Sequence, residues 1–129
     1  MFIRFITTGG TIDKIYFDAL SQFEIGDSQI KHILTEGLVE FEYDMVPLLQ
    51  KDSIDMTDAD RAALRDFIAG DTANHYVITH GTDTMSETAD ALADLHDKTI
   101  VLTGALSPAR FKSTDAVFNV GMADRKSVV

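Results

Sequence analysis

Four short apolar runs, spaced by helical patterns, constrain the fold of this chain more than any other feature. They are Phe2–Thr7, Val39–Val46, Tyr76–Thr79 and Thr99–Thr103, each of strand length and bounded by glycine or polar residues. Between them lie Ser28–Glu36, with Ile30, Ile33 and Leu34 on one side and Gly37 as a stop, and a stretch after Thr57. In the latter, Thr57 and Asp60 form a box-like cap, Asp58 favours the helix start, and Ala63, Leu64, Phe67 and Ile68 form the expected buried stripe before Gly70. Asp83–Leu95 reads as a helix with Met85, Ala89, Leu92 and Leu95 in register, and a last helix begins near Thr114. Asp13–Gly26 reads as a long irregular loop. Strand-helix alternation of this kind predicts an α/β domain with a parallel sheet and helices on both faces. The run from Val39 alternates with acidic Glu40, Glu42 and Asp44, which places one face in water and the strand at a sheet edge.

Composition narrows the function. The 129 residues suit one domain, and eleven Lys plus Arg against twenty-one Asp plus Glu leave a net charge of −10. Such a field repels phosphate polyanions, so nucleic acid and anionic membranes are not expected partners. The chain has no cysteine, which excludes disulfides, thiolate metal sites and a Cys nucleophile. It contains no apolar run of membrane-span length, and its opening residues do not resemble a signal peptide. The expectation is a soluble, cytoplasmic domain.

In open parallel sheets, ligands bind beyond the carboxyl ends of the strands. Four clusters fall there: Thr8-Gly9-Gly10-Thr11, Lys51-Asp52-Ser53 with Asp55, His80-Gly81-Thr82-Asp83 and Thr103-Gly104-Ala105. Thr11 is a hydroxyl beside two glycines, where backbone N–H groups can approach a substrate carbonyl. Thr82 and Asp83 add a second hydroxyl and a carboxylate able to cap a helix or receive an ammonium group. Ser53 offers a hydroxyl for a carboxylate. The triphosphate loop, the dinucleotide fingerprint and the zinc-hydrolase motifs are absent from the sequence, so neither a cofactor nor a metal is expected. His80 reads as a hydrogen-bonding partner rather than a ligand. A phosphate site on the N–H groups near Gly9 and Gly10 is a weaker alternative.

Ile6-Thr7-Thr8-Gly9-Gly10-Thr11-Ile12 and Ile78-Thr79-His80-Gly81-Thr82-Asp83-Thr84-Met85 resemble the two signature segments of bacterial-type L-asparaginases. Asp52-Ser53-Ile54-Asp55-Met56 and Val101-Leu102-Thr103-Gly104-Ala105 are similar to that family's substrate-serine segment and to the segment after the second signature. The resemblance covers residues 1–123 as one domain. It implies a flavodoxin-like, doubly wound three-layer α/β sandwich with a mainly parallel sheet, truncated at its C-terminal end. It also implies hydrolysis of the side-chain amide of asparagine, or a related small amide, in a homo-oligomer. By the same resemblance, Thr11 is the nucleophile that forms an acyl-enzyme and Thr82 the second catalytic threonine. Asp83 would bind the α-ammonium group and Ser53 the α-carboxylate, with the backbone at Gly10, Gly81 and Ala105 orienting the amide.

Three departures stand out. The family's loop tyrosine aligns with Phe23, leaving Tyr16 as the nearby substitute or as a plain loop anchor. The family's catalytic lysine comes from a strand not in this sequence, so Lys14, close to Thr11, is the candidate replacement unless it is a solvated surface lysine. The family's C-terminal domain is also missing. These departures favour, as the alternative function, a noncatalytic aspartate- or asparagine-binding module. Residues 124–129 depart from the family pattern, and Asp124-Arg125-Lys126-Ser127-Val128-Val129 back-translates to a short-read sequencing adapter. Adapter read-through on a truncated gene is the expectation for this tail, and an unpaired sheet edge beside Thr99–Thr103 would follow from it.

Overall fold

In the computed structural model the backbone is described for residues 1–17, 22–25 and 28–127, and the side chains for residues 1–15 and 28–127. Strands β1 (Phe2–Gly9), β4 (Glu42–Lys51), β5 (His75–Thr79) and β6 (Thr99–Thr103) form one sheet in the order β4-β1-β5-β6, and every pairing in it is parallel. Strands β2 (Lys14–Phe17) and β3 (Gln22–Ile25) make a separate antiparallel pair. The chain leaves β1 to build β4 on one side, then returns to build β5 on the other. The order therefore reverses between β1 and β5, the location where open sheets of this type open a ligand crevice.

Three layers result. Ile3 and Phe5 of β1 pack with Ile30, Ile33 and Leu34 of α1 (Ile30–Glu36) and with Ala116, Val120 and Ala123 of α4 (Ala116–Ser127). On the opposite face, Ile6, Tyr76 and Ile78 pack with Leu64 and Ile68 of α2 (Asp58–Gly70) and with Leu92 of α3 (Met85–Leu92). Alternate residues of β1 thus enter different cores, which is why its sequence is apolar throughout rather than alternating. Among the described residues, no helix is long and apolar enough to cross a membrane.

The second long strand runs over Glu42–Lys51 rather than Val39–Val46. Its start is set by its neighbour among the described strands, since β1 begins at Phe2, opposite Glu42. Val39 and Phe41 precede the strand and pack onto the α1 side of the core instead. Pro47 does not end it, because an edge position leaves room for a residue that cannot donate to the ladder. The wet face expected for this strand is present, with Glu42 and Asp44 exposed and Tyr43 and Met45 half-buried. The stretch expected as an irregular loop holds the β2–β3 hairpin. Gly26 and residues 18–21 lie outside the described residues.

Two helical stripes differ from expectation in their polar members. On α2, Ala63 is exposed and Arg61 is buried beside Leu64 and Ile68. On α3, Ala89 is exposed and Thr88 is buried with Leu92. That helix starts after Thr84, not at Asp83, and no side chain caps it. The cap of α2 is as expected: Asp60 N–H donates to Thr57 Oγ1 at 3.1 Å, and Thr57 N–H to Asp60 Oδ2 at 2.9 Å. Lys51 Nζ, at the end of β4, donates to the same carboxylate at 2.8 Å. Helix α4 continues through Asp124 to Ser127. Replacing Thr57 by Ala removes the acceptor of Asp60 N–H and leaves the backbone half of the box, residue 57 N–H to the Asp60 carboxylate, in place. It should destabilise the domain by about 1 kcal/mol in chemical denaturation, and an unchanged midpoint would contradict the role given to this cap.

Candidate active site

The four clusters meet at the carboxyl ends of the strands, and backbone contacts hold them together. After β1 the chain turns through Gly9 and Gly10, at φ 103° and 85°, a region that side-chain-bearing residues rarely adopt. Gly10 N–H donates to Lys51 O at 2.9 Å, fastening the tip of β1 to the end of β4. On its other side Gly10 abuts the tip of β5: a Cβ at Gly10 would stand 2.5 Å from Gly81 N. Gly81 is equally confined, since a Cβ there would stand 2.7 Å from Ser53 Oγ. Three strand tips therefore touch through positions without side chains, and Thr11 and Thr82 follow directly on the two apposed glycines.

The remaining contacts extend this floor. Ser53 is buried in a short 3-10 turn, Ser53–Asp55. Its hydroxyl accepts from Thr84 N–H at 3.3 Å, and its carbonyl accepts from Thr84 Oγ1 at 2.8 Å. His80 N–H donates to Thr103 O at 2.8 Å, which brings in the tip of β6, where Gly104 and Ala105 are buried. The Asp115 carboxylate accepts from Leu106 N–H at 2.9 Å and Ser107 N–H at 3.0 Å, holding the following loop against α4. Those backbone donors, led by Leu106, hold the Asp115 carboxyl below its ordinary range.

Above this floor, Thr11 is half-buried in the 3-10 turn Thr11–Asp13, while Thr82 and Asp83 are exposed. The sequence thus leads to two hydroxyls and a carboxylate on adjoining strand tips, with Asp83 free of the capping role. Lys14 Nζ is ion-paired with Asp52 Oδ1 at 3.2 Å, tying the base of the hairpin to the Ser53 segment. Tyr16 and Phe23 are register partners across β2 and β3, and their side chains lie outside the described residues. No group of three or more His, Cys, Asp or Glu side chains suited to a metal occurs among the described residues.

His80 is fully buried, with both ring nitrogens engaged. Nδ1 is 2.6 Å from Gly81 O and Nε2 is 2.7 Å from Thr88 Oγ1, which also accepts from Arg61 Nε at 3.1 Å. A carbonyl only accepts, so Nδ1 carries the proton and Nε2 takes the hydroxyl proton of Thr88. Burial, aided by the charge of Arg61, lowers the His80 pKa and keeps the ring neutral. The ring is a brace for the Gly81 carbonyl, as its setting in the sequence suggested. Sequence reasoning missed Arg61 and Thr88. The signal was a polar residue within each apolar stripe, at the i and i+3 positions of Arg61 with Leu64 and of Met85 with Thr88.

Asp13 was also missed. It is 2% exposed, and burial pushes its carboxyl up to about 6 against the hydrogen bonds of Ser28 and Gln29 and the more distant charge of Arg110. A carboxyl raised on folding keeps a proton that the unfolded chain has already released. Stability therefore falls as pH climbs from about 4 to about 6, and the penalty is complete above that window. Asp13→Asn should improve stability relative to wild type by about 2 kcal/mol more at pH 7.5 than at pH 4. Denaturant titrations at the two pH values check this, and an equal effect at both would contradict it.

Comparison with known proteins gives this geometry a family. The family model described as asparaginase, N-terminal, matches residues 2–125. A probable periplasmic L-asparaginase of Haemophilus influenzae is 52% identical over 60 residues, covering 40% of this chain and 17% of that protein. A glutaminase-asparaginase of Acinetobacter glutaminasificans is 40% identical over 81 residues, covering 58% and 24%. Among solved structures, the thermostable L-asparaginase from Thermococcus kodakarensis superposes with a TM-score of 0.79 at 25% identity, over 98% of this chain and 40% of that one. L-asparaginase I from Vibrio cholerae gives 0.77 at 28% identity, over 95% and 39%. The chain spans about a quarter or less of the curated relatives and about two fifths of the solved structures. With its glycine-paired strand tips and matched signature segments, this chain belongs to the asparaginase family and corresponds to the N-terminal domain.

Proposed function

We propose that the site serves asparaginase-type amide hydrolysis, with L-asparagine or a related small amide as substrate and Thr11 as the nucleophile. The observation that carries this reading is the apposition of Gly10 and Gly81, which sets the two following threonines on adjoining backbone. In the reaction the Thr11 hydroxyl oxygen attacks the side-chain amide carbon, and the tetrahedral intermediate expels ammonia to leave an ester on Thr11. Water then attacks the ester carbonyl, releasing aspartate and returning the proton to Thr11. Backbone N–H groups around Gly10, Gly81 and Ala105 orient the amide and stabilise its developing oxyanion. Thr82 stands beside the scissile bond, and the exposed Asp83 carboxylate receives the α-ammonium group. Ser53 holds the α-carboxylate: its oxygen accepts from Thr84, which leaves its own proton to donate. A homo-oligomer is part of the same proposal, because β6 is an unpaired edge among the described strands.

A second reading is a noncatalytic module that binds aspartate or asparagine. The ion pair of Lys14 with Asp52 favours it, since it commits the nearest lysine to a structural partner. Phe23, without a hydroxyl, favours it as well. Ammonia release from asparagine, measured alongside calorimetric binding of aspartate, separates the two. The enzyme reading expects turnover that Thr11→Ala lowers by at least about a thousandfold, with aspartate binding retained within a few-fold. Binding without turnover, with Thr11→Ala equal to wild type, would select the module.

A further inference from the structure

Arg61 lies on the buried face of α2, in register with Leu64 and Ile68, and is 6% exposed. Packing gives no account of a guanidinium there. Its Nη2 is buried without a hydrogen-bond partner, and the carboxylates of Asp58 and Glu87 stand 3.6 and 3.4 Å from its outer nitrogens. A buried charge held this loosely is costly beside an apolar side chain of similar length. The well-placed group is Nε, which donates to Thr88 Oγ1 at 3.1 Å, and from there the chain runs through His80 to Gly81 O. A guanidinium only donates and a carbonyl only accepts. With the ring neutral, every proton in the chain therefore points from α2 toward the strand tips.

The geometry points to Arg61 as a positioning residue for amide hydrolysis, acting through Thr88 and His80 on the peptide that joins Gly81 to Thr82. That peptide is trans, so its N–H points opposite to its carbonyl. The carbonyl faces the buried His80 ring, and Thr82 N–H is turned away from it, to the side where Thr82 is exposed. A donor on the carbonyl oxygen also polarises the amide and makes its N–H a stronger donor. Charge grows on the substrate oxygen only as the tetrahedral intermediate forms, so a stronger donor lowers the barrier more than it tightens binding. This role rests on the hydrolysis reading and adds to it: α2, packed against one face of the sheet, sets the strength of a backbone donor at the site.

Ammonia release and NMR spectra of the full chain test it, with Arg61→Met, Thr88→Val and the two combined. Valine keeps the shape of threonine, and methionine the length of the arginine stem. Each single variant should lower kcat about tenfold with KM within about twofold of wild type. The double variant should lose only about tenfold as well, because all three break one chain. Thr88→Ser keeps the hydroxyl and should stay within about threefold of wild type. In both single variants the Thr82 amide proton should move upfield as its peptide loses polarisation, with the circular dichroism unchanged. Wild-type kcat in Arg61→Met and Thr88→Val, losses that multiply in the double variant, or an unmoved Thr82 amide proton would overturn this role and leave the hydrolysis reading standing. A wild-type chain that releases no ammonia from asparagine would overturn both.

Discussion

The close approach of Gly10 to Gly81 is the constraint on which the rest of the site depends. Two parallel strands end side by side, and a threonine follows each of the two glycines beyond them. Backbones can come this near only where neither carries a Cβ, and Gly10 also has a positive φ that a side chain would strain. The ends of β4 and β6 are then drawn in by hydrogen bonds, Gly10 N–H to Lys51 O and His80 N–H to Thr103 O. The sheet supplies position and the glycines supply proximity. Function enters through what the next residues carry.

Beneath the strand tips the structure spends several buried polar groups on keeping the floor in place. The chain from Arg61 through Thr88 to His80 ends on the Gly81 carbonyl, so the helices α2 and α3 fix the orientation of a peptide in the site. Each member is at most 6% exposed, and a buried network of this kind rigidifies only if every link is satisfied. A neutral His80 completes the links from Arg61 Nε through Thr88 to Gly81, which is why its lowered pKa and its hydrogen bonds agree, while Arg61 Nη2 is buried without a hydrogen-bond partner. Asp13 is a second such case on the same floor, a buried carboxyl with one oxygen left without a donor.

Much of this was legible in the sequence, for identifiable reasons. The parallel sheet followed from apolar runs alternating with amphipathic stretches, because strands buried on both faces cannot alternate. The capping box at Thr57 and Asp60 was a local signal and appears as such. The family relationship rested on two segments whose glycines have backbone duties that few other residues can perform. The boundaries of β4 were not legible, since they are set by where β1 begins rather than by anything between Val39 and Lys51. The β2–β3 hairpin lacked the short turn dipeptides that mark such elements. The polar members of the α2 and α3 stripes, Arg61 and Thr88, were not legible, because apolar periodicity points to the alanines at 63 and 89 instead. A buried polar residue is selected by its partner, and the partners lie 27 positions apart.

The central claim, that apposed glycine backbones form the receptor for a small amino acid, is tested most directly by calorimetric titration of L-aspartate into Gly81→Ala beside the wild-type protein. Gly81 does not require a positive φ, so alanine adds no dihedral strain, and the new methyl would stand 2.7 Å from Ser53 Oγ and 2.8 Å from its Cβ, which must shift the Ser53 segment. The account predicts that the variant keeps its fold by circular dichroism and loses aspartate affinity by at least about tenfold, the equivalent of about 1.4 kcal/mol. Aspartate binding by Gly81→Ala at wild-type affinity would contradict it.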